Sequence, residues 1–429
     1  MKRVAIWLLL LLNCALVIVL LVHTDLQYIF NKTETLVGSV FFVDSVTELS
    51  LKQTYTQAKK ELVDTNKKKT KAEIKAGLDR TRVKVLVVPG HDEQFSGTTY
   101  NGLSELKLTI ELGEKLYALL KKEPFLDVYI SQTKEGYVPE IWAYFTDNRD
   151  AILAFLSEKK ALMENLIGTS EIKPVVNVQH NFAPAEGAIR LYGINKWAND
   201  HDIDIVIHIH FNDYPGRKKT APGRYSGFAI YVPERQYSNA KGSESVAASI
   251  RKRLASMYPP SNLPKEDMGI IEDQELIALG SRNTLDSASV LIEYGYIYEP
   301  AFSRPDTRAA LTDDLALQTY LGIMDFFGEK TNAGGTYATR LVPYAWTQDL
   351  TQDTKAPRDI LSLQATLTLA GVYPPTGRSK NDCGLTGFFG PCTKEAVRLF
   401  QEKYGIRPSD AFVGAKTRQM LAEIYQDKN

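Results

Sequence analysis

Val206-Ile207-His208-Ile209-His210-Phe211-Asn212 is an apolar, β-branched run that ends in polar side chains and a turn. Two other segments far away in the chain have the same build. Val87-Val88-Pro89-Gly90-His91 closes the run that starts at Val83, and Val290-Leu291-Ile292-Glu293-Tyr294-Gly295-Tyr296 carries a carboxylate directly after three aliphatic residues. Strands of a parallel sheet, buried on both faces, read as continuous apolar runs rather than as alternation. Asp127–Ser131 and Phe228–Val232 add two more candidates, and Ile203–Phe211 frames the first. Between them, Leu103, Leu106, Ile110, Leu116 and Leu120, and later Val246, Ile250, Leu254 and Met257, recur at helical spacing. This alternation predicts an α/β fold with a mostly parallel sheet and flanking helices.

In open α/β sheets the ligand site lies beyond the carboxyl ends of the strands. That rule gathers His91, His210 and Glu293 at one rim. Glu105 joins them from the start of the helix after the first strand. Two histidines and one carboxylate suffice for a catalytic zinc that keeps a fourth position open, and the second glutamate is then free to act as a base. A buried carboxylate at Glu293 must be paired or functional, because leaving it unpaired is costly. His208 shares a strand face with His210 and either supports the metal site from behind or competes for the ion.

These segments resemble the zinc-dependent N-acetylmuramoyl-L-alanine amidases. The matching residues are Pro89-Gly90-His91, Glu105, Ile209-His210-Phe211-Asn212 and Leu291-Ile292-Glu293-Tyr294-Gly295-Tyr296, and Arg190 to Asn195 fits the family's Arg-x4-Asn spacing. The resemblance covers roughly residues 82–327. It implies Zn²⁺ bound by His91, Glu105 and His210, Glu293 as general acid and base, and Arg190, Asn212 and His208 as residues near substrate or ligands. The implied reaction cuts the amide between N-acetylmuramic acid and L-alanine in peptidoglycan. A zinc peptidase acting on wall peptides and a non-catalytic wall-binding protein are the alternatives. Two departures stand out: Asp92 and Glu93 replace the family's glycines after the first histidine, and His208 replaces a serine.

Residues 358–427 resemble the three-helix peptidoglycan-binding domain appended to wall hydrolases. The resemblance rests on Phe389-Gly390, Thr393, Ala396-Val397 and Phe400-Gln401. Asn381–Leu385 is longer than the family's turn and holds Cys383. With Cys392 it can form a disulfide outside a cell; in the cytoplasm both would be free thiols.

The chain has 429 residues and 51 side chains of each sign, which bounds it to two or three units. Zero net charge argues against nucleic acid as the partner. Lys2 and Arg3 precede a mostly apolar stretch from Val4 to Val22, near the length of a bilayer's hydrocarbon core. Positive charge on that side predicts the N-terminus in the cytoplasm and the remainder extracytoplasmic. A cleaved signal peptide is the rival, but no small-x-small cleavage site follows the span, so an uncleaved, single-pass anchor at 1–23 is expected. Residues 24–81 read as a membrane-proximal helical stalk, 82–330 as the catalytic domain with an insertion at 137–186, 331–357 as a linker, and 358–429 as the binding domain. The insertion is expected to be partly helical and to form a lid or regulatory element. An activating partner, if one exists, is not identified by the sequence. Glu186, His180 and His201 read as ordinary surface or loop residues. The stripe Tyr294, Tyr296, Tyr298 fits either core packing or a substrate wall.

Overall fold

In the computed structural model the central sheet has six strands: β1 (Val83–Pro89), β2 (Leu126–Ile130), β3 (Ile205–Asn212), β4 (Ala229–Pro233), β5 (Ile270–Asp273) and β6 (Ala288–Tyr296). The structure describes residues 82–175, 183–214, 216–329, 331 and 338–426. The expected anchor and stalk lie outside the described residues, as does His180. Among the described residues, no helix is long and apolar enough to cross a membrane.

The strand order is β2-β1-β3-β6-β4-β5. The first four strands run parallel, β4 is antiparallel to β6, and β5 is parallel to β4. The sheet is therefore mostly parallel, with one reversal. Apolar runs report burial on both faces but not strand direction.

Helices cover both faces. On one side lie α1 (Glu105–Leu120), α5 (Ala240–Met257) and α6 (Pro305–Phe327). They enclose Val85, Val87, Ile207, Ile209, Val290 and Ile292 of the strands. The opposite face buries Leu86, Val88 and Val206. It packs them against α2 (Pro139–Asp147), α3 (Arg149–Gly168) and α4 (Ala185–Asp200). The insertion thus supplies α2 and α3. Ile152, Met163 and Leu166 of its apolar stripe are buried, whereas Leu153 stays exposed.

After α6 the described residues form three more helices: α7 (Pro357–Leu369), α8 (Pro391–Lys403) and α9 (Ala415–Gln426). They enclose a second core of Trp346, Leu363, Leu367, Phe389, Val397, Phe400 and Leu421. Cys383 and Cys392 form a disulfide between the α7–α8 loop and α8. The three-helix unit is not held by its own core alone. Leu361 and Ala365 of α7, with Leu341 and Val342 before it, belong to the core that contains the sheet. Lys380 donates to the carbonyls of Ala255 and Ser256, where α5 ends, at 2.6 Å each. Arg304 stacks over Phe388 at 4.0 Å.

Candidate metal centre

β1, β3 and β6 lie side by side, so their carboxyl ends bring His91, His210 and Glu293 to one rim. Glu105 arrives from the first turn of α1. Ser104 caps that helix by accepting from the Lys107 N–H, and a carboxylate in a first turn is favoured by the helix dipole.

One oxygen of Glu105 is the hub. Its Oε1 lies 2.9 Å from His91 Nε2 and 3.1 Å from His210 Nδ1. Backbone N–H groups fix the carboxylate: Phe211 donates to Oε1 and Thr98 to Oε2, both at 3.1 Å. The two imidazoles meet edge to face with centroids 5.0 Å apart. One ligand atom from each of His91, Glu105 and His210 can be chosen so that all three lie within 4.8 Å of one another. This nitrogen and oxygen donor set has the kind and number of ligands of a catalytic zinc site. The backbone donors orient the carboxylate as outer-shell partners of a metal ligand do.

Two glycines make the cluster possible. A Cβ on Gly90 would stand 2.4 Å from His210 Cε1. Gly97 has φ +72°, and a Cβ there would stand 2.4 Å from Glu105 Oε2 and 2.7 Å from His91 Cδ2. Gly90 was visible as part of a motif. Gly97 and Thr98 were not, since an isolated Gly in a polar loop signals only a turn.

The electrostatics follow from burial and crowding. Burial opposes the charged form of His91, but the Glu105 carboxylate outweighs it and raises the pKa. Burial would raise Glu105, yet His91 first and His210 next hold it well below the usual carboxylate range. Burial lowers His210, against its bond to Glu105.

Glu293 faces His210 directly in the β6–β3 register. A shift of that register follows at once, between Glu293 and Tyr296; such irregularities re-aim side chains next to active sites. Its Oε2 is buried and finds no hydrogen-bond partner. Burial, then Glu105, then Glu266 push its carboxyl well above the ordinary range. Carboxyls perturbed in this way are characteristic of groups that take up and hand on protons. Glu266, which no sequence pattern marked, accepts from Tyr231 and Tyr296 hydroxyls and from Asn212. Asn212 therefore connects the end of β3 to a second buried carboxylate.

His208 lies one pleat deeper on the same strand and is absent from the ligand cluster. It is fully buried, and neither ring nitrogen has a hydrogen-bond partner of good geometry. Burial, with His210 nearby, lowers its pKa to about 3. Arg190 pairs with Asp92 at 3.1 Å and with Gln94 at 3.0 Å. Asp92 in turn accepts from the N–H groups of Gln94 and Phe95 and from Tyr137. The residue that replaces a family glycine is thus the tie that shapes the loop between His91 and Gly97. Asn195 is buried and donates to Ile277 and Thr284. Glu186 is paired with Arg149 at the surface. His201 stacks on Trp197, away from the site. The tyrosine stripe is core: Tyr294, Tyr296 and Tyr298 are all buried.

Residues 85–324 match the family model described as N-acetylmuramoyl-L-alanine amidase. The chain belongs to that family. It is an amidase that acts on peptidoglycan in the cell wall, and residues 357–421 match a putative peptidoglycan binding domain. Peptidoglycan is accordingly its partner, and its work lies on the wall side of the membrane. Among solved structures, the amidase of Clostridium difficile is 17% identical, with 58% of this chain and 100% of that one covered and a TM-score of 0.38. The amidase of Mycobacterium smegmatis is 17% identical over 57% and 97%, with a TM-score of 0.37. The catalytic domain of the amidase from Bacillus (Paenibacillus) polymyxa is 15% identical over 58% and 99%, with a TM-score of 0.36. No curated protein matches the chain.

Proposed function

We propose that this amidase holds a zinc ion with His91, Glu105 and His210 and uses Glu293 as general acid and base to cleave the amide between the lactyl group of N-acetylmuramic acid and L-alanine. The observation that carries this reading is the meeting of three donor groups around Glu105 with a buried carboxyl in register beside them. A zinc ion in such a site polarises a carbonyl and lowers the pKa of water. The chain's own residues do the rest. Glu293 accepts the proton of the attacking water and delivers one to the leaving amine of L-alanine. Phe211 and Thr98 N–H groups hold the Glu105 carboxylate in place while charge shifts. His208, neutral and buried, fills space behind His210 and stays outside the ligand set.

We assign the organisation around this centre as an anchor at 1–23, a stalk at 24–81, a catalytic domain at 82–330, a connection at 331–357 and a wall-binding domain at 358–429. The apolar run Val4 to Val22 behind Lys2 and Arg3 supports a membrane-anchored enzyme facing the wall.

The test is digestion of purified muropeptides by the full chain, first stripped of metal and then reloaded with zinc. Mass analysis should find an intact sugar bearing a lactyl carboxylate and a free peptide beginning with L-alanine, only in the reloaded sample. Cleavage inside the peptide would make the enzyme a peptidase instead.

A further inference from the structure

The loop that carries His91 forms one wall of a cavity of about 610 Å³, a size typical of small-molecule sites at roughly 300–1,000 Å³. Other walls come from the exposed side of α1, the short ribbon Gln132–Thr133 with Gly136–Tyr137, and Trp142 of α2. Gln132 joins cavity and metal centre, because its side-chain amide donates to the carbonyl of Pro89 at 2.7 Å and to that of His91 at 2.5 Å.

Trp142 is the unusual element. It is half exposed, although large aromatic side chains favour burial. Its ring is stacked on Tyr137, with centroids 6.3 Å apart and planes 25° from parallel. Tyr137 is itself fixed, by its hydroxyl on Asp92 and by an edge contact with Phe145. Trp142 thus presents a half-exposed ring beside a fixed aromatic neighbour, next to a rim of exposed Glu93, Lys107 and Glu135. A pyranose ring has a complementary build, with an apolar C–H face and hydrogen-bonding edges. The bond cut by the enzyme hangs from a sugar within a glycan strand, so neighbouring sugars come close to the loop that carries His91 when that bond is engaged.

We propose that Tyr137 and Trp142 form a subsite for an N-acetylhexosamine ring of the glycan strand adjacent to the one that bears the scissile amide. This rests on the amidase reading and makes the insertion helix α2 a specificity element. Trp142 stacks on the sugar face, and the rim residues bond its hydroxyl and acetamido groups.

The test separates sugar from peptide. KM is measured on glycan strands bearing stem peptides and on the single muramoyl peptide, with wild type, Trp142→Ala and Trp142→Tyr. The alanine variant should raise the ratio of strand KM to muramoyl-peptide KM roughly 3- to 10-fold, the worth of one aromatic contact, and the tyrosine variant should restore most of it. The second readout needs no turnover. The full chain labelled with 5-fluorotryptophan is titrated with N-acetylglucosamine tetramer, which lacks both lactyl group and peptide. The fluorine resonance that disappears in Trp142→Tyr should shift. An equal KM rise on both substrates would hand the platform to the stem peptide and overturn the proposal, as would a Trp142 signal unmoved by the tetramer. Failure of the amidase reading looks different: the wild type would cut neither substrate.

Discussion

Glu293 stands directly opposite His210 across the parallel pairing of β6 on β3. The proposed acid and the proposed metal ligand are thus both set by the pairing of the same two strands, and neither depends on a loop. Glu293→Gln keeps the shape and removes the proton carrier. It should retain wild-type metal content and lose turnover by about 10²–10⁴-fold, the usual worth of a general acid or base. Metal analysis alongside amide hydrolysis checks this; near wild-type turnover would end the assignment.

The ligand set makes a sharper demand. His91→Ala and His210→Ala should each lower bound zinc far below one ion per chain. His208→Leu should keep it, because His208 lies outside the cluster. Zinc retained by folded His210→Ala but lost by His208→Leu would move the ligand one pleat inward.

Gly97 tests whether the loop is fitted to the cluster. Alanine there must tolerate φ +72° and a Cβ 2.4 Å from Glu105 Oε2. The protein should fold, since the position is at the surface, but its zinc affinity should drop by about 10- to 100-fold, as for lost support around a metal ligand. An unchanged affinity would mean that the loop adapts freely.

His208 gives a pH signature in the metal-free protein. Its folded pKa, about 3, lies below the ordinary 6.5. The native state therefore binds fewer protons than the unfolded one between those values. Stability is intact above pH 6.5 and is lost as pH falls toward 3. At pH 5 the cost from this residue is roughly 2 kcal/mol. Denaturant melts at pH 7 and pH 5 should show wild type falling further than His208→Leu by about that amount. Equal falls in the two proteins would show that His208 is protonated in the fold.

Much of this centre could be read in the chain, and the reason is physical. Buried parallel strands must be apolar, so His91, His210 and Glu293 stood out as polar ends of apolar runs. Their convergence then followed from the sheet rule. What escaped was non-local or short. β5 is four residues with two acids, Ile270–Asp273, and offers no apolar run. The reversal of β4 leaves no trace in hydropathy. Glu266 sits in the charged segment Lys265-Glu266-Asp267 and acquires meaning only where Tyr231, Tyr296 and Asn212 meet it. Asp92 was visible only as a departure from a pattern; its bonds to Arg190 and Tyr137 explain it.

The disulfide closes a nine-residue separation between Cys383 and Cys392. Chain entropy for so short a loop gives about 2–3 kcal/mol. A double Cys→Ala variant of the full chain should lose that much. Because Leu361 and Ala365 of α7 pack in the core of the sheet, loosening the C-terminal unit should also lower the midpoint at which the catalytic part unfolds. Peptidoglycan co-sedimentation at 25 °C should survive, since the helices keep their own core of Leu363, Val397 and Phe400. Denaturant melts of variants that keep only Trp197, in the catalytic part, or only Trp346, in the C-terminal core, report the two regions separately. A catalytic midpoint unmoved by the double substitution would show that the shared core does not couple them.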